Sequence, residues 1–467
     1  MRNTTWIAGL AILLGGCVNL APDYARPAAP VPSAWSHHAS QGTTQDAADA
    51  LDWRSFIMDA RLREVIALAL ANNRDLRVAV LSIEKARARY RIQDASRYPS
   101  LGVAAGSNIA RTPADRASGS AATISRNQNV QLGFSSYELD FFGRLKNLST
   151  AAQASYQFNV EMQRSVQISL VAEVAGAWLT LAADNERLLL ARDTLKSQQI
   201  SYDLSQRSHA IGSTSGLDLS TAQASVEAAQ VDLGEFTSRV QQDLNALNLL
   251  AGTAVPAHLL PDSVPQASAE LLATPAELSS DLLLQRPDVL AAEQSLIAAN
   301  ADIGAARAAF FPSITLTAGG GAASSSLAGL FKPGSGAWSF LPSINIPIFN
   351  AGRNRASLDA AKVSKEIEIA NYEKAIQVAF REVADALAER ATLSQRLGAQ
   401  QRLADASARS YRLSEARYRS GIDSYLNSLV AERSWYGARQ SLISLRLLEQ
   451  NNRINLYKVM GGGWSSS

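Results

Sequence analysis

Cysteine is almost missing from this 467-residue chain, which has only Cys17. No internal disulfide can form, so a disulfide-stapled scaffold and a cysteine-ligated zinc site are both excluded. Histidine is scarce too: His37, His38, His209 and His258 are scattered without metal-ligand spacing. Nothing matches G-x-S-x-G, a P-loop or a dinucleotide fingerprint, and Gly319-Gly320-Gly321 and Gly461-Gly462-Gly463 fit none of these. Neither catalysis nor a cofactor or metal is expected. Net charge is also small, with 44 basic residues against 42 acidic, which gives no nucleic-acid footprint and no supercharged tail. Proline is absent from two long stretches, 144–211 and 353–420, so nothing in them has to break a helix.

What is present begins at the N-terminus. Arg2, an apolar run from Trp6 to Leu14, and Leu14-Gly15-Gly16-Cys17 together look like a bacterial lipobox. Residues 1–16 then form a lipoprotein signal peptide. Cys17 is the lipidation site, carrying a diacylglycerol and an N-acyl chain. An ordinary secretory signal with an accidental cysteine is the alternative. Lipoproteins with Asp after the cysteine are usually retained in the inner membrane, and Val18 stands there instead, so passage to the outer membrane is expected. No uninterrupted run of 18 apolar residues follows, so no transmembrane helix is expected.

The chain after Cys17 reads as a proline-rich extended tether and equatorial segment, 17–60, with Pro22, Pro27, Pro30 and Pro32. A helical pattern runs from Arg61 to Arg97, with a possible break at Asn72-Asn73, and Pro99 ends it. The period then changes to alternation in Leu101, Val103 and Ala105, and again in Val130, Leu132 and Phe134, predicting a hairpin of two strands of about ten residues over about 100–142. A helix over 144–211 follows. Its residues Val174, Leu181, Leu188, Leu195 and Tyr202 keep a heptad beat, and its length is roughly 100 Å. Gly212-Ser213-Thr214-Ser215-Gly216 turns the chain into a second helix, 217–250, striped by Leu219, Val226, Leu233, Val240 and Leu247. A linker with four prolines covers 251–280.

The pattern then recurs. Pro99-Ser100-Leu101 returns as Pro312-Ser313-Ile314 and Asp75 as Asp288, both 213 positions on; Gly143-Arg144, Gly212 and Leu217 return 209 positions on as Gly352-Arg353, Gly421 and Leu426. A constant offset over such length marks an internal duplication. The first repeat is 61–250 and the second 281–460, the latter with a hairpin at about 312–350, a long helix at 353–420 and a helix at 424–460; 461–467 is a tail. In each repeat the two shorter helices together match the long one. We expect them to stack end to end beside it as a coiled-coil column.

The hairpins decide where such a column stands. Strands of about ten residues with one apolar face suit a bilayer-spanning barrel. An open four-stranded sheet in lipid would leave edge N–H and C=O groups unpaired at several kcal/mol each, and closure needs about eight strands or more, so two or more copies would have to share a barrel. Ordinary amphipathic hairpins packed on a soluble core are the alternative.

With these elements placed, the chain resembles the TolC/OprM-type outer-membrane efflux factors, in their NodT-type lipoprotein branch. The residues that carry the resemblance are Cys17 with Pro22-Asp23-Tyr24-Ala25-Arg26-Pro27 and Trp35, then Phe142-Gly143-Arg144, and Arg286-Pro287-Asp288-Val289 through Ala299-Asn300-Ala301 to Phe310-Phe311-Pro312-Ser313-Ile314. Tyr418-Arg419-Ser420-Gly421 and Tyr457-Lys458 before Gly461-Gly462-Gly463-Trp464 continue it. The resemblance implies a mainly α chain with a membrane β-barrel portion, a homotrimer with a 12-stranded β-barrel continued by a 12-helix periplasmic α-barrel. It implies a passive outer-membrane channel, lipid-anchored and barrel-inserted, serving a periplasmic membrane-fusion adaptor and an inner-membrane pump of the resistance-nodulation-division (RND) type. The segment Leu51-Asp52-Trp53-Arg54-Ser55-Phe56 with Met58-Asp59-Ala60 departs from the family's pattern, lacking its Asp-Pro pair. A non-conducting structural or adhesive rod is the rival function.

Single residues follow from the same reading. Gly143 and Gly352 stand where strand becomes helix, where a backbone bend favours glycine. Gly212 and Gly421 mark the helix turns, and the resemblance makes that end a periplasmic gate. Asp423, Arg417, Arg419 and Tyr418 around one turn, with Asp218 and Arg207 around the other, are gate candidates that could bridge neighbouring protomers. A solvated helix end, where exposed pairs contribute about 0–1 kcal/mol, is the alternative. Arg286-Pro287-Asp288 reads as a helix start, with proline in the first turn and an acid favoured by the helix dipole.

Overall fold

A computed structural model gives the structure of the chain and describes residues 18–32, 35, 53–115, 121–265 and 280–462. Cys17, the signal segment and residues 463–467 lie outside the described residues. The elements in order are α1 (Trp53–Phe56), α2 (Ala60–Asn72), α3 (Arg74–Ala95), β1 (Gly102–Thr112), β2 (Thr123–Leu139), α4 (Arg144–Ala210), α5 (Gly216–Ala251), α6 (Pro287–Ala308), β3 (Ser313–Ser324), β4 (Gly336–Asn345), α7 (Arg353–Arg419) and α8 (Tyr425–Val459). Mainly helical, with four strands, the chain divides into two compact units.

The first unit gathers Met1–Ala28, Ser82–Val160 and Ala291–Glu373. Its sheet is antiparallel with the order β1-β2-β3-β4, and among the described residues β1 and β4 have no outer partner. The register sorts the side chains by face. Val103 pairs with Leu132, Leu132 with Gly320 and Gly320 with Trp338, so these stand in one row; Phe134, Ala318 and Phe340 form a second row. Because side chains alternate along a strand, Ile109, Ile124, Val130, Ile314, Leu316 and Ile344 share this face. The opposite face carries Asn108, Asn127, Asn129, Gln131, Thr315, Thr317, Ser339 and Ser343, with Leu341 the apolar exception. Nothing covers the apolar face: Val103 is 71% exposed and Trp338 82%.

Strand β2 has 17 residues, longer than the ten or so expected. A bulge between Phe134 and Tyr137 accommodates the extra length, with Ser136 at φ 53° and its N–H donating to Thr317 Oγ1 at 3.0 Å. Ser135 and Ser136 together face the single residue Thr317, and this one extra residue puts Tyr137 on the apolar face beside Phe134. Strand β4 ends at Asn345, short of the hairpin end expected near 350; Pro347 has no N–H to give a ladder.

The N-terminal segment is extended, as its prolines require, but docked. Val18 N–H donates to Phe141 O at 3.0 Å, Arg307 Nη1 to Leu20 O at 3.0 Å and Asn300 Nδ2 to Pro22 O at 2.8 Å. Tyr24 donates its hydroxyl to Glu293 Oε1 at 2.9 Å, and Arg26 grips both oxygens of Glu293, a residue almost wholly buried. Gly304 makes room for this crossing, since a Cβ there would lie 2.4 Å from Asn147 Nδ2 and 2.8 Å from Ala21 Cα.

The second unit gathers Ala29–Leu81, Glu161–Leu290 and Lys374–Ser467. Its main core joins Trp53, Phe56 and Ile57 to Leu62, Val65 and Ile66 of α2, Val171, Val174, Trp178 and Leu179 of α4, and Leu247, Leu259, Ile454 and Tyr457. By length and composition one stretch of α4 could cross a bilayer, contrary to the expectation of no such helix; it is interrupted by Glu173, and more than half of it is buried inside the protein. Phe56 stacks on Tyr457 with centroids 4.7 Å apart, and Asp59 caps α2 by accepting from Arg61 N and Leu62 N. The departure from the family pattern around Trp53 therefore still yields a buried aromatic anchor.

Two joints link short helices end to end. Asn73 leaves α2 in an extended conformation, its Oδ1 accepting from Leu76 N at 2.9 Å to cap α3 and its Nδ2 donating to Leu250 O at 2.9 Å, in the last turn of α5. Gly252 ends α5 at φ 69°, and a Cβ there would lie 2.4 Å from Asn72 O. The second joint uses a charge. Arg286, before Pro287 opens α6, donates to Val459 O of α8 at 2.7 Å, to both oxygens of Asp288 at 3.0 and 2.7 Å, and to Glu382 Oε2 at 2.8 Å. Arg286-Pro287-Asp288 thus begins a helix, and its arginine also satisfies the end of another. Ahead of α6, Ser280–Gln285 forms a 3-10 turn.

Replacing Arg286 with Met keeps the side-chain length and removes every donor. We expect Arg286→Met to lower stability in chemical denaturation by about 2–3 kcal/mol, below the value for a fully buried pair because Asp288 and Glu382 are more than a third exposed.

Candidate functional site

Both helix turns fold by the same backbone rule. Gly212 at φ 77° donates to His209 O at 2.9 Å while Ser213 N donates to Ser208 O at 2.9 Å; Gly421 at φ 72° donates to Tyr418 O at 2.9 Å while Ile422 N donates to Arg417 O at 2.9 Å. This paired pattern, with glycine in the left-handed region, closes the carbonyl end of a helix.

The side chains then differ. After Gly212, Ser215 caps α5: its Oγ accepts from Asp218 N at 3.1 Å and its backbone N–H donates to Asp218 Oδ2 at 3.4 Å, a reciprocal capping box to which the Ser215 and Thr214 hydroxyls add bonds to the same oxygen at 2.7 and 3.2 Å. Asp218 serves its own helix start, and these hydroxyls hold its carboxyl below the ordinary 3.8. After Gly421, Asp423 reaches back instead. Arg417 donates to it through Nε at 2.6 Å and Nη2 at 3.2 Å, and Ser424 makes no side-chain cap. The arginine depresses the Asp423 carboxyl, so this clasp is whole above pH 3.8 and is lost as the pH falls through the lowered value. The structure thus brings Arg417 and Asp423 together. Arg419 pairs with Glu415 one turn back on α7. Arg207 is exposed and forms no ion pair among the described residues. Tyr418 lies inward, its ring 5.5 Å from Tyr425 and its hydroxyl 3.5 Å from Ser205 Oγ.

Beside the turns lies a polar layer that sequence reasoning missed. Glu432 of α8 is 4% exposed, and its Oε2 accepts from Gln198 Nε2 of α4 at 2.7 Å. Gln198 Oε1 accepts from the Tyr425 hydroxyl at 3.2 Å, and Ser197 meets the Tyr411 hydroxyl of α7 at 3.0 Å. The signal was available: Tyr425, Leu429, Glu432 and Tyr436 follow core spacing on α8, with one acid among them.

At the strand-to-helix junctions Gly143 has φ 72° and Gly352 φ 85°. Gly143 faces Asn19 Oδ1 at 3.3 Å and Asn147 Nδ2 at 3.4 Å from a built Cβ, whereas Gly352 faces open space.

The model of the family described as outer membrane efflux protein matches residues 65–253 and 278–462, once on each half. The chain belongs to the outer membrane efflux protein family. It is similar to the toluene efflux pump outer membrane protein TtgC and to the antibiotic efflux pump outer membrane protein ArpC, both of Pseudomonas putida, each 45% identical over 461 residues that cover 98% of this chain and 95% of the relative. Among solved structures it is similar to the MtrE outer membrane channel of Neisseria gonorrhoeae in its open state, with a TM-score of 0.85, 37% identity, and 96% of this chain and 99% of that one covered. As an outer membrane efflux protein the chain is a channel component of an efflux pump in the bacterial outer membrane; it is neither an enzyme nor a non-conducting rod.

The junction glycines of this efflux protein separate two effects. Gly352→Ala meets only the left-handed backbone penalty of about 1–2 kcal/mol; Gly143→Ala meets that and the Asn19 contact. Denaturation midpoints should fall for both variants and further for Gly143→Ala.

Proposed function

We propose that three copies of this chain share one 12-stranded outer-membrane barrel and one 12-helix periplasmic tunnel, anchored in lipid through acylated Cys17. The observation that carries this reading is the open sheet. Its edges β1 and β4 run antiparallel to each other, so β4 of one copy can pair with β1 of the next, and pairing all round a ring leaves no backbone group open to lipid. The exposed row Val103, Leu132 and Trp338 faces the hydrocarbon, and the Asn, Gln, Ser and Thr face lines water. The channel is passive. It receives its cargo from a periplasmic membrane-fusion adaptor and an RND-type inner-membrane pump, and the names of TtgC and ArpC suggest small organic compounds such as aromatic solvents and antibiotics.

The gate lies at the turns of Gly212 and Gly421. The Arg417–Asp423 clasp shapes the second turn, and exposed Arg207, with Arg419 and Asp218 once freed from Glu415 and Ser215, bridges to a neighbouring protomer there.

The purified protein should have three times the mass of its mature chain and should conduct in a planar bilayer. Asp423→Ala should raise single-channel conductance; unchanged conductance removes Asp423 from the gate. Deleting the protein should sensitise cells to toluene and to antibiotics, and an unaltered compound panel would contradict this cargo class.

A further inference from the structure

Glu432 is not needed to build the helix wall, yet it is buried at a position where a leucine would pack. Its Oε2 has Gln198 as donor, while its Oε1 is buried and has no hydrogen-bond partner. Three helices enclose it. Ser197 and Gln198 come from α4, Tyr411 and Glu415 from α7, and Tyr425 and Arg433 from α8 itself. No lysine or arginine reaches ion-pair distance of Glu432 among the described residues, and the nearby Arg419 is engaged by Glu415. Apolar packing closes the layer on both sides: Tyr425, Leu429 and Ala222 pack with Tyr202 and Tyr418, and Trp435 stacks on Tyr411 with centroids 5.4 Å apart.

We infer that Glu432 is a proton-operated latch on the helices beside the turns. Protonated, it gains a donor for the hydroxyls and amide around its free oxygen and ties α4, α7 and α8 together. Ionised, it leaves a buried charge that Gln198, the two hydroxyls and Arg433 offset only in part, and this loosens the layer. Burial pushes its carboxyl from 4.5 up to about 7; Glu415 pushes the same way, and the Ser197 and Tyr411 hydroxyls and Arg433 oppose. The packed layer therefore holds a proton that an opened layer releases between these two values. The latch is complete below pH 4.5, weakens as the pH rises, and is fully released above 7. Any effect on conductance rests on the gate reading above; the loosening itself does not.

Hydrogen exchange on the purified full-length protein tests this, read on peptides spanning 405–415 and 425–435 and corrected for intrinsic exchange. Protection in these peptides should fall by up to about tenfold per pH unit between roughly 4.5 and 7, then level off. Glu432→Gln should abolish the fall and hold the protection seen in acid. Glu415→Gln, at a half-covered surface position, should shift the fall to lower pH, which keeps the test decisive even where Glu432→Gln fails to assemble. A pH profile unchanged in Glu432→Gln or in Glu415→Gln overturns the latch, as does a flat wild-type profile. Conductance of wild type and Asp423→Ala, recorded alongside, separates the two readings: no rise in Asp423→Ala defeats the gate, whereas the exchange profile alone decides the latch.

Discussion

Every backbone N–H and C=O that leaves water must find a partner, and this constraint explains the least ordinary features of the chain. At the helix joints it is met within one molecule. Asn73 supplies a donor to Leu250 and an acceptor to Leu76, and Arg286 supplies a donor to Val459, so short helices continue one another without exposed ends. At the sheet edges it is not met within one molecule. Strands β1 and β4 present unpaired rows beside an uncovered apolar face, and in a bilayer only another copy can satisfy them. The unpaired edge is thus the physical reason for proposing assembly.

Duplication explains the outline but not the details. Asn73 and Arg286 hold equivalent joints with different chemistry, one a neutral amide and one a buried guanidinium between two acids. The turns diverge in the same way. Asp218 completes a capping box on α5, whereas Asp423 turns back to Arg417 and leaves α8 without a side-chain cap. A turn held by its own helix start resists change differently from one held by an exposed ion pair, whose strength depends on salt and on competing partners. That difference is why the second turn is the better candidate for the moving part.

Much of this was legible in the sequence because it rests on local rules. Two proline-free stretches, the first with a heptad beat, became α4 and α7, each of 67 residues, and Gly212 and Gly421 became left-handed turns because only glycine enters that region freely. The alternation that predicted strands also sorted the faces correctly, except where the bulge at Ser136 lengthened β2. Pro22 to Pro32 predicted extended backbone, but not that Tyr24 and Arg26 would dock on Glu293, because no spacing rule links positions so far apart.

The sequence by itself determined the elements, which follow from periodicity, glycine and proline among neighbouring residues; a constant offset between matching motifs marked the duplication, and the motifs themselves carried the resemblance to the family. Only the tertiary structure decided what the charged residues do. Asp218, Asp423 and Arg419 look alike as exposed charges beside turns, yet one caps, one clasps and one pairs along its own helix. Glu432 sits at core spacing on its helix, but its partners are fixed only when three helices close around it, and Arg286 reads as a plain helix start until Val459 arrives from the other end of the chain. A charge takes its meaning from what surrounds it, and those surroundings are set by packing between segments distant in sequence.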